Sequence, residues 1–167
     1  CSSDLSFSGY ATSSSVLDAT NLSIQLGSWA TDNSGNKTFT ANTDFTQQSL
    51  VLDGADNLTT LKNRINALDV GISASIVRVA DNNYALTLSS PLGTNNQIRV
   101  QATSNSGGIS NLSYDPETNG SGAANGGDAL KEISAASDAV ISFNGLSVTR
   151  ETNVINDIIP GVTLTLN

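Results

Sequence analysis

Histidine and methionine are missing from this chain altogether, and its only cysteine is residue 1. One thiol cannot form an intrachain disulfide, and a Cys/His metal site has no ligands to draw on. Stability must therefore come from packing and strand pairing. Charge is scarce as well: 15 acidic and 7 basic residues make up 13% of the chain and leave a net charge of −8, with a pI near 4.1. Seven scattered Lys and Arg cannot build the clustered cationic surface that phosphate backbones need, which argues against nucleic acid and against an anionic membrane as partners. No apolar run approaches the roughly 18 residues of a membrane-spanning helix, and no basic-then-apolar leader opens the chain, so it is expected to be soluble as it stands. What the chain has in abundance is Ser, Thr and Asn, together 60 of 167 residues. Its solubility thus rests on neutral hydroxyls and amides, as in many extracellular β proteins. At this length one or two compact domains are expected.

Strand periodicity appears early. Leu22, Ile24 and Leu26 alternate with Ser23 and Gln25, the period of a half-buried strand. Asp32-Asn33-Ser34-Gly35-Asn36 reads as a turn before an extended Thr38-Phe39-Thr40. Leu58, Leu61, Ile65 and Leu68 fall on one helical stripe, and Asp56 just before them is expected to cap the first turn. Gly71 is expected to end that helix in a left-handed conformation. Ile72, Ala74 and Ile76 then face one way, and Asp81-Asn82-Asn83 turns the chain into Tyr84, Leu86 and Leu88, with Pro91 closing the hairpin. Ile98 and Val100 belong to a further strand.

From Ala102 to Gly127 the chain turns to Ser, Asn and Gly, reinforced by Pro116 and Gly120, and is expected to form a long loop or a crossing between subdomains. A short helical piece over Asp128–Ser134 is expected to lead into Ala139–Phe143. Asn144-Gly145 is a strong hairpin signal, because both residues tolerate positive φ, and it should pair Leu146 and Val148 with Phe143 and Ile141. Val154–Ile159 is expected to make one helical turn before Pro160-Gly161 and a last strand over Val162–Leu166. The fold class that results is α+β, mostly antiparallel β, with two small β-rich subdomains and about two short helices. The expected division is 22–104 against a discontinuous 1–21 plus 105–167.

Catalytic chemistry finds little to work with. Without His, acid, base and nucleophile must come from carboxylates, serines and lysines, and none are suitably grouped. Asp53 and Asp56 are close in sequence, but Asp56 is better explained as the helix cap. The Asp32–Asn36 segment has oxygen ligands at alternating positions yet lacks the downstream bidentate acid of a calcium loop, so a plain turn is preferred. Gly120-Ser121-Gly122 and Gly126-Gly127 lack the Lys-Ser/Thr of a phosphate loop and read as linker. No catalytic, cofactor or metal residue is assigned, and the chain is not expected to be an enzyme. Trp29, expected to follow a strand into a polar loop, is the one candidate for contact with a glycan. Tyr84 is assigned to packing.

Two stretches carry a resemblance. Asn57 to Leu68 with Ile65-Asn66, then Val70-Gly71-Ile72-Ser73-Ala74-Ser75, then Tyr84-Ala85-Leu86-Thr87-Leu88-Ser89-Ser90, resembles the Ile-Asn motif of flagellins and hook-associated proteins. Ser137 to Leu166, with Asp138-Ala139, Asn144-Gly145, Asn153, Asp157 and Pro160-Gly161-Val162-Thr163-Leu164, resembles the flagellar hook-associated protein 2 family, the filament cap. The resemblance covers about 22–100 and 137–166. It implies a non-enzymatic, secreted protein that forms a ring with other copies of itself at the tip of the bacterial flagellum and helps flagellin assemble beneath it. It implies no cofactor. Because the family's long ring-forming helices have no counterpart here, the chain is expected to be an excised head region. Two alternatives stand beside it. One is an inserted domain of a flagellin or another hook-associated protein. The other is an extracellular adhesin for mucin or host glycan, for which Cys1-Ser2-Ser3 would be the start of a mature lipoprotein.

Overall fold

The computed structural model describes residues 2–106, 110, 112–116, 131–134, 136–143, 146–158 and 162–166. Every strand pairing among the described residues is antiparallel. One sheet has the order β5-β6-β1-β8, from β1 (Ser2–Tyr10), β5 (Ser73–Ala80), β6 (Asn83–Leu92) and β8 (Lys131–Ser134). The second is built on β2 (Asn21–Thr31), with β7 (Gln97–Thr103) along one side. On its other side β4 (Gln48–Val51) meets the first half of β2 and β3 (Lys37–Ala41) the second. The alternation read from Leu22, Ile24 and Leu26 holds, since all three are buried while Ser23 and Gln25 between them are only half-buried.

Among the described residues one α-helix, the nine-residue α1 (Leu58–Asn66), lays Leu58, Leu61 and Ile65 into the core. All three are fully buried, a contribution of roughly 1.5–3 kcal/mol each. They join Leu5 and Phe7 of β1, Ile24 of β2, Leu86 and Leu88 of β6 and Ile98 of β7 in one contiguous cluster. Two further two-stranded sheets lie downstream: β9 (Ala139–Phe143) with β10 (Leu146–Arg150), and β11 (Val154–Ile155) with β12 (Leu164–Thr165). The β9–β10 register pairs Leu146 with Phe143 and Val148 with Ile141, as the Asn-Gly spacing implied. Asn144, Gly145, Pro160 and Gly161 themselves lie outside the described residues, as does Cys1.

Several expectations are corrected. Residues 131–134 form β8, not the end of a helix, because pairing with Asp4, Leu5 and Ser6 sets their conformation and local propensity is too weak to oppose it. Val154–Ile155 is extended and pairs with Leu164 and Thr165, as suits two β-branched residues. Strand β6 runs through Pro91 to Leu92; the proline sits where the β1–β6 register slips, a place that does not need its missing N–H. The left-handed exit from α1 begins at Asp69 (φ 50°), with Gly71 (φ 80°) following. Strands β1 and β4 were not anticipated. In the first sheet β1 lies between β6 and β8.

The C-terminal sheets are tied to the rest through the loop after β6. The Asp138 carboxylate accepts from the Thr94 N–H (3.0 Å) and hydroxyl (3.3 Å), and Glu151 accepts from the Asn95 amide at 3.3 Å.

Candidate functional site

The residues singled out from the Ile-Asn motif meet at the junction of α1 with β5. The helix begins with a reciprocal cap. Asn57, extended at φ −135° and ψ 179°, accepts from the Thr59 and Thr60 N–H groups, and the Thr60 hydroxyl accepts from the Asn57 N–H at 2.8 Å. The cap is thus Asn57 and not Asp56, which stands one residue too early to reach the free N–H groups. Asp56 is nonetheless buried, 8% exposed. It accepts from the Arg64 guanidinium (2.8 Å) and from the Asp53 N–H (3.0 Å), while Arg64 also donates to the Val51 carbonyl (2.7 Å). The pairing of Asp53 with Asp56 is therefore part of a turn, not an acid–base pair.

Ile65 and Asn66 divide their work. Ile65 fills the core, whereas the exposed Asn66 turns its amide onto the backbone of β5. It accepts from the Ala74 N–H at 2.7 Å and donates to the Ala74 carbonyl at 2.9 Å. A side-chain amide carries one acceptor and paired donors on a plane and can imitate a neighbouring strand at one residue. The link works only because residues 67–72 reverse the chain tightly, through Asp69 and Gly71 at positive φ. A side chain on Gly71 would also press on Pro91, 3.0 Å away.

Trp29 is placed differently from expectation. It lies inside β2, opposite Phe39, and is half-buried. Its ring sits 4.7 Å from that of Phe39 at a tilt of 56° and meets Tyr114 edge-on at 6.3 Å. The Arg99 guanidinium covers Phe39 at 4.3 Å, a cation–π arrangement. The Trp29 indole N–H is buried and finds no partner among the described residues. This is a packed aromatic corner rather than a free stacking face. Tyr84 packs against the core, as expected.

The Asp32 carboxylate accepts from the Ser34 N–H (2.8 Å), the Asn36 N–H (2.9 Å) and the Asn36 side-chain amide (2.9 Å). These bonds, the Asn36 side chain foremost, hold it below the usual carboxylate range. Both of its oxygens serve the turn between β2 and β3. No group of three metal-ligating side chains occurs among the described residues.

Residues 136–167 match the family model for the flagellar hook-associated protein 2 C-terminus. The flagellar hook-associated protein 2 of Salmonella typhimurium is 31% identical over 113 residues, covering 68% of this chain and 23% of that protein. The Helicobacter pylori protein of the same name is 50% identical over 36 residues, 22% of this chain and 5% of that one. The chain belongs to the flagellar hook-associated protein 2 family. It spans less than a quarter of the length of either relative. Among solved structures, the D2–D3 domains of the flagellar cap protein FliD from Serratia marcescens align over 99% of this chain and 80% of that one, at 27% identity and TM-score 0.72. The corresponding domains from Escherichia coli align over 99% and 75%, at 20% identity and TM-score 0.76, a likeness of fold. The fold class expected from the sequence and the assignment to the family's head region both hold. The family's C-terminal match covers β9 to β12, and within it Asp138, which opens the motif that carries the resemblance, holds the Thr94 loop.

Proposed function

We propose that this chain is the head of a flagellar filament cap: a structural protein, outside the cell at the flagellar tip, that promotes flagellin polymerisation. In the full-length protein its partners are flagellin and other copies of itself arranged in a ring. The observation that carries this reading is the likeness of the whole chain to the head domains of a flagellar cap protein, 99% of its length at 27% identity. The chemistry of the head is in keeping with it. The carboxylates described above are engaged in turns, loop contacts and an ion pair, and the hydroxyl-rich, negatively charged coat resists non-specific adhesion to a client passing beneath it. The role is mechanical, with no catalytic step. Mucin or glycan binding is not part of the proposal, because Trp29, its one named contact, is committed to Phe39 and Tyr114. Within the head, we place β1, β8 and the segment bonded to β7 with the 22–104 unit to which they are hydrogen-bonded, and treat β9 to β12 as the second unit.

The test is complementation. A strain lacking its filament-cap gene receives the full-length protein that contains this head, with and without residues 22–104, and is scored for filament length and for flagellin shed into the medium. Restored filaments with the full-length protein are expected; continued shedding of flagellin without filaments would reject the reading.

A further inference from the structure

Strand β5 is the outer strand of its sheet, with β6 on one side and no strand on the other among the described residues. Such an edge offers its backbone groups to any extended chain that meets it. Which groups it offers follows from Asn66. Both the N–H and the carbonyl of Ala74 bond to that side chain, so they point away from β6. In an antiparallel ladder the alternate residues Ile76 and Arg78 then point the same way. The strand runs for eight residues, and its outer face carries Val77 and Val79, 46% and 59% exposed. A long edge with exposed β-branched residues is the pattern that pairs with its own copy, since two antiparallel edges are self-complementary about a twofold axis.

The second sheet handles the same problem in the open. The outer side of β7 is covered by residues 110 and 112–115. Val100 exchanges backbone bonds with Tyr114 at 2.9 and 2.6 Å. At Ala102 the Ser113 hydroxyl accepts from the N–H (2.9 Å) and donates to the carbonyl (2.8 Å). Ala102 under Ser113 and Ala74 under Asn66 are the same device, one polar side chain closing both backbone groups of an outward-facing alanine. On β7 a whole segment supports the closure, whereas the described cover of β5 is the single amide of Asn66.

We propose that Asn66 is an edge cap whose amide, delivered by the end of α1, blocks the β5 edge and keeps a second copy of this chain from adding its own β5 there. Asparagine suits this position because it meets a donor and an acceptor together. Aspartate would keep the acceptor and set a second oxygen against the Ala74 carbonyl, and leucine, of similar shape, would leave both groups open. The inference is independent of the cap reading, because it concerns what the Ile-Asn pair does within the fold.

The experiment compares the 167-residue chain with Asn66→Leu by sedimentation over a concentration series and by amide exchange at Ala74. The expected result is self-association at least about tenfold tighter, with faster exchange at Ala74 at concentrations where the variant is monomeric. Adding Val77→Lys to Asn66→Leu places a charge on the edge strand and should restore the monomer while leaving the fast exchange. Leu61→Ala, a core variant that leaves the edge closed, should not associate reversibly. Asn66→Asp is the milder variant if Asn66→Leu does not fold, with the same direction expected. A folded Asn66 variant that sediments like the parent would overturn the proposal, as would equal association by Leu61→Ala.

Discussion

Replacing Gly27 by alanine tests the packing of the second sheet more sharply than any truncation of the core. A Cβ built at Gly27 would lie 2.2 Å from the Thr40 carbonyl oxygen and 2.5 Å from Cζ of Phe39. The φ of Gly27 is not in the left-handed region, so the cost is steric and not conformational. A flexible side-chain tip could swing aside, but the nearest atom is a backbone oxygen of β3, which pairs with β2 from Gly27 to Thr31. Relief therefore requires β3 to move as a strand. Overpacking of this kind costs about 1–3 kcal/mol. Drawing Phe39 away from Trp29 forfeits a further 0.5–1.5 kcal/mol or so of ring contact. We expect about 3 kcal/mol, which at a urea slope of roughly 2 kcal/mol per molar lowers the unfolding midpoint by about 1.5 M. Trp29 is the only tryptophan of the chain and sits on the affected pair, so its emission should also shift to the red in the native baseline. Gly54, with open space around it, is the control: Gly54→Ala should change stability by no more than about 0.5 kcal/mol. An unchanged midpoint and emission for Gly27→Ala would show that β3 does not press on Gly27 as described.

Two further outcomes follow from single residues. Burial, with the nearby Asp18 charge adding to it, pushes the Tyr10 phenol up from 10.0 to about 12. The folded protein therefore keeps a proton that the unfolded chain gives up near pH 10, so this contribution to stability is whole below pH 10 and lost as the pH rises towards 12. At full amplitude it is about 2–3 kcal/mol. Urea midpoints across that range should fall more steeply in the parent than in Tyr10→Phe, and matching slopes would contradict the assignment. Asn57→Ala should cost about 1 kcal/mol and speed amide exchange at Thr59 and Thr60, whose N–H groups it caps. Asp56→Ala should leave those two amides protected, and the opposite pattern would return the cap to Asp56.

Much of the fold is written in periodicities of the chain. The alternation of Leu22, Ile24 and Leu26, the stripe of Leu58, Leu61 and Ile65, and the Asn-Gly spacing that sets Val148 against Ile141 are local patterns. Each reports which face an element buries whatever it packs against. The same holds for the family resemblance, carried by short runs of residues in fixed order, and for the chemistry denied by the lack of histidine and of paired cysteines. Where neighbours along the chain compete, local reading falls short. Asp56 and Asn57 are both capping residues, and Arg64, a full two turns away, decides between them by drawing the Asp56 carboxylate into an ion pair. Residues 131–134 become a strand because β1 has an open side, and Trp29 is enclosed because Phe39 and Tyr114 arrive from other segments.

Fold class, most of the elements and the family are thus legible in the unfolded chain, because they depend on patterns a few residues long. That β1 completes the sheet of β6, that Asp56 is an ion-pair partner and that Asn66 bonds to the backbone of β5 emerges only on folding. Each of these depends on hydrogen bonds between groups that come together only once the chain has folded, and no periodicity records which distant backbone group will be left in need of a partner.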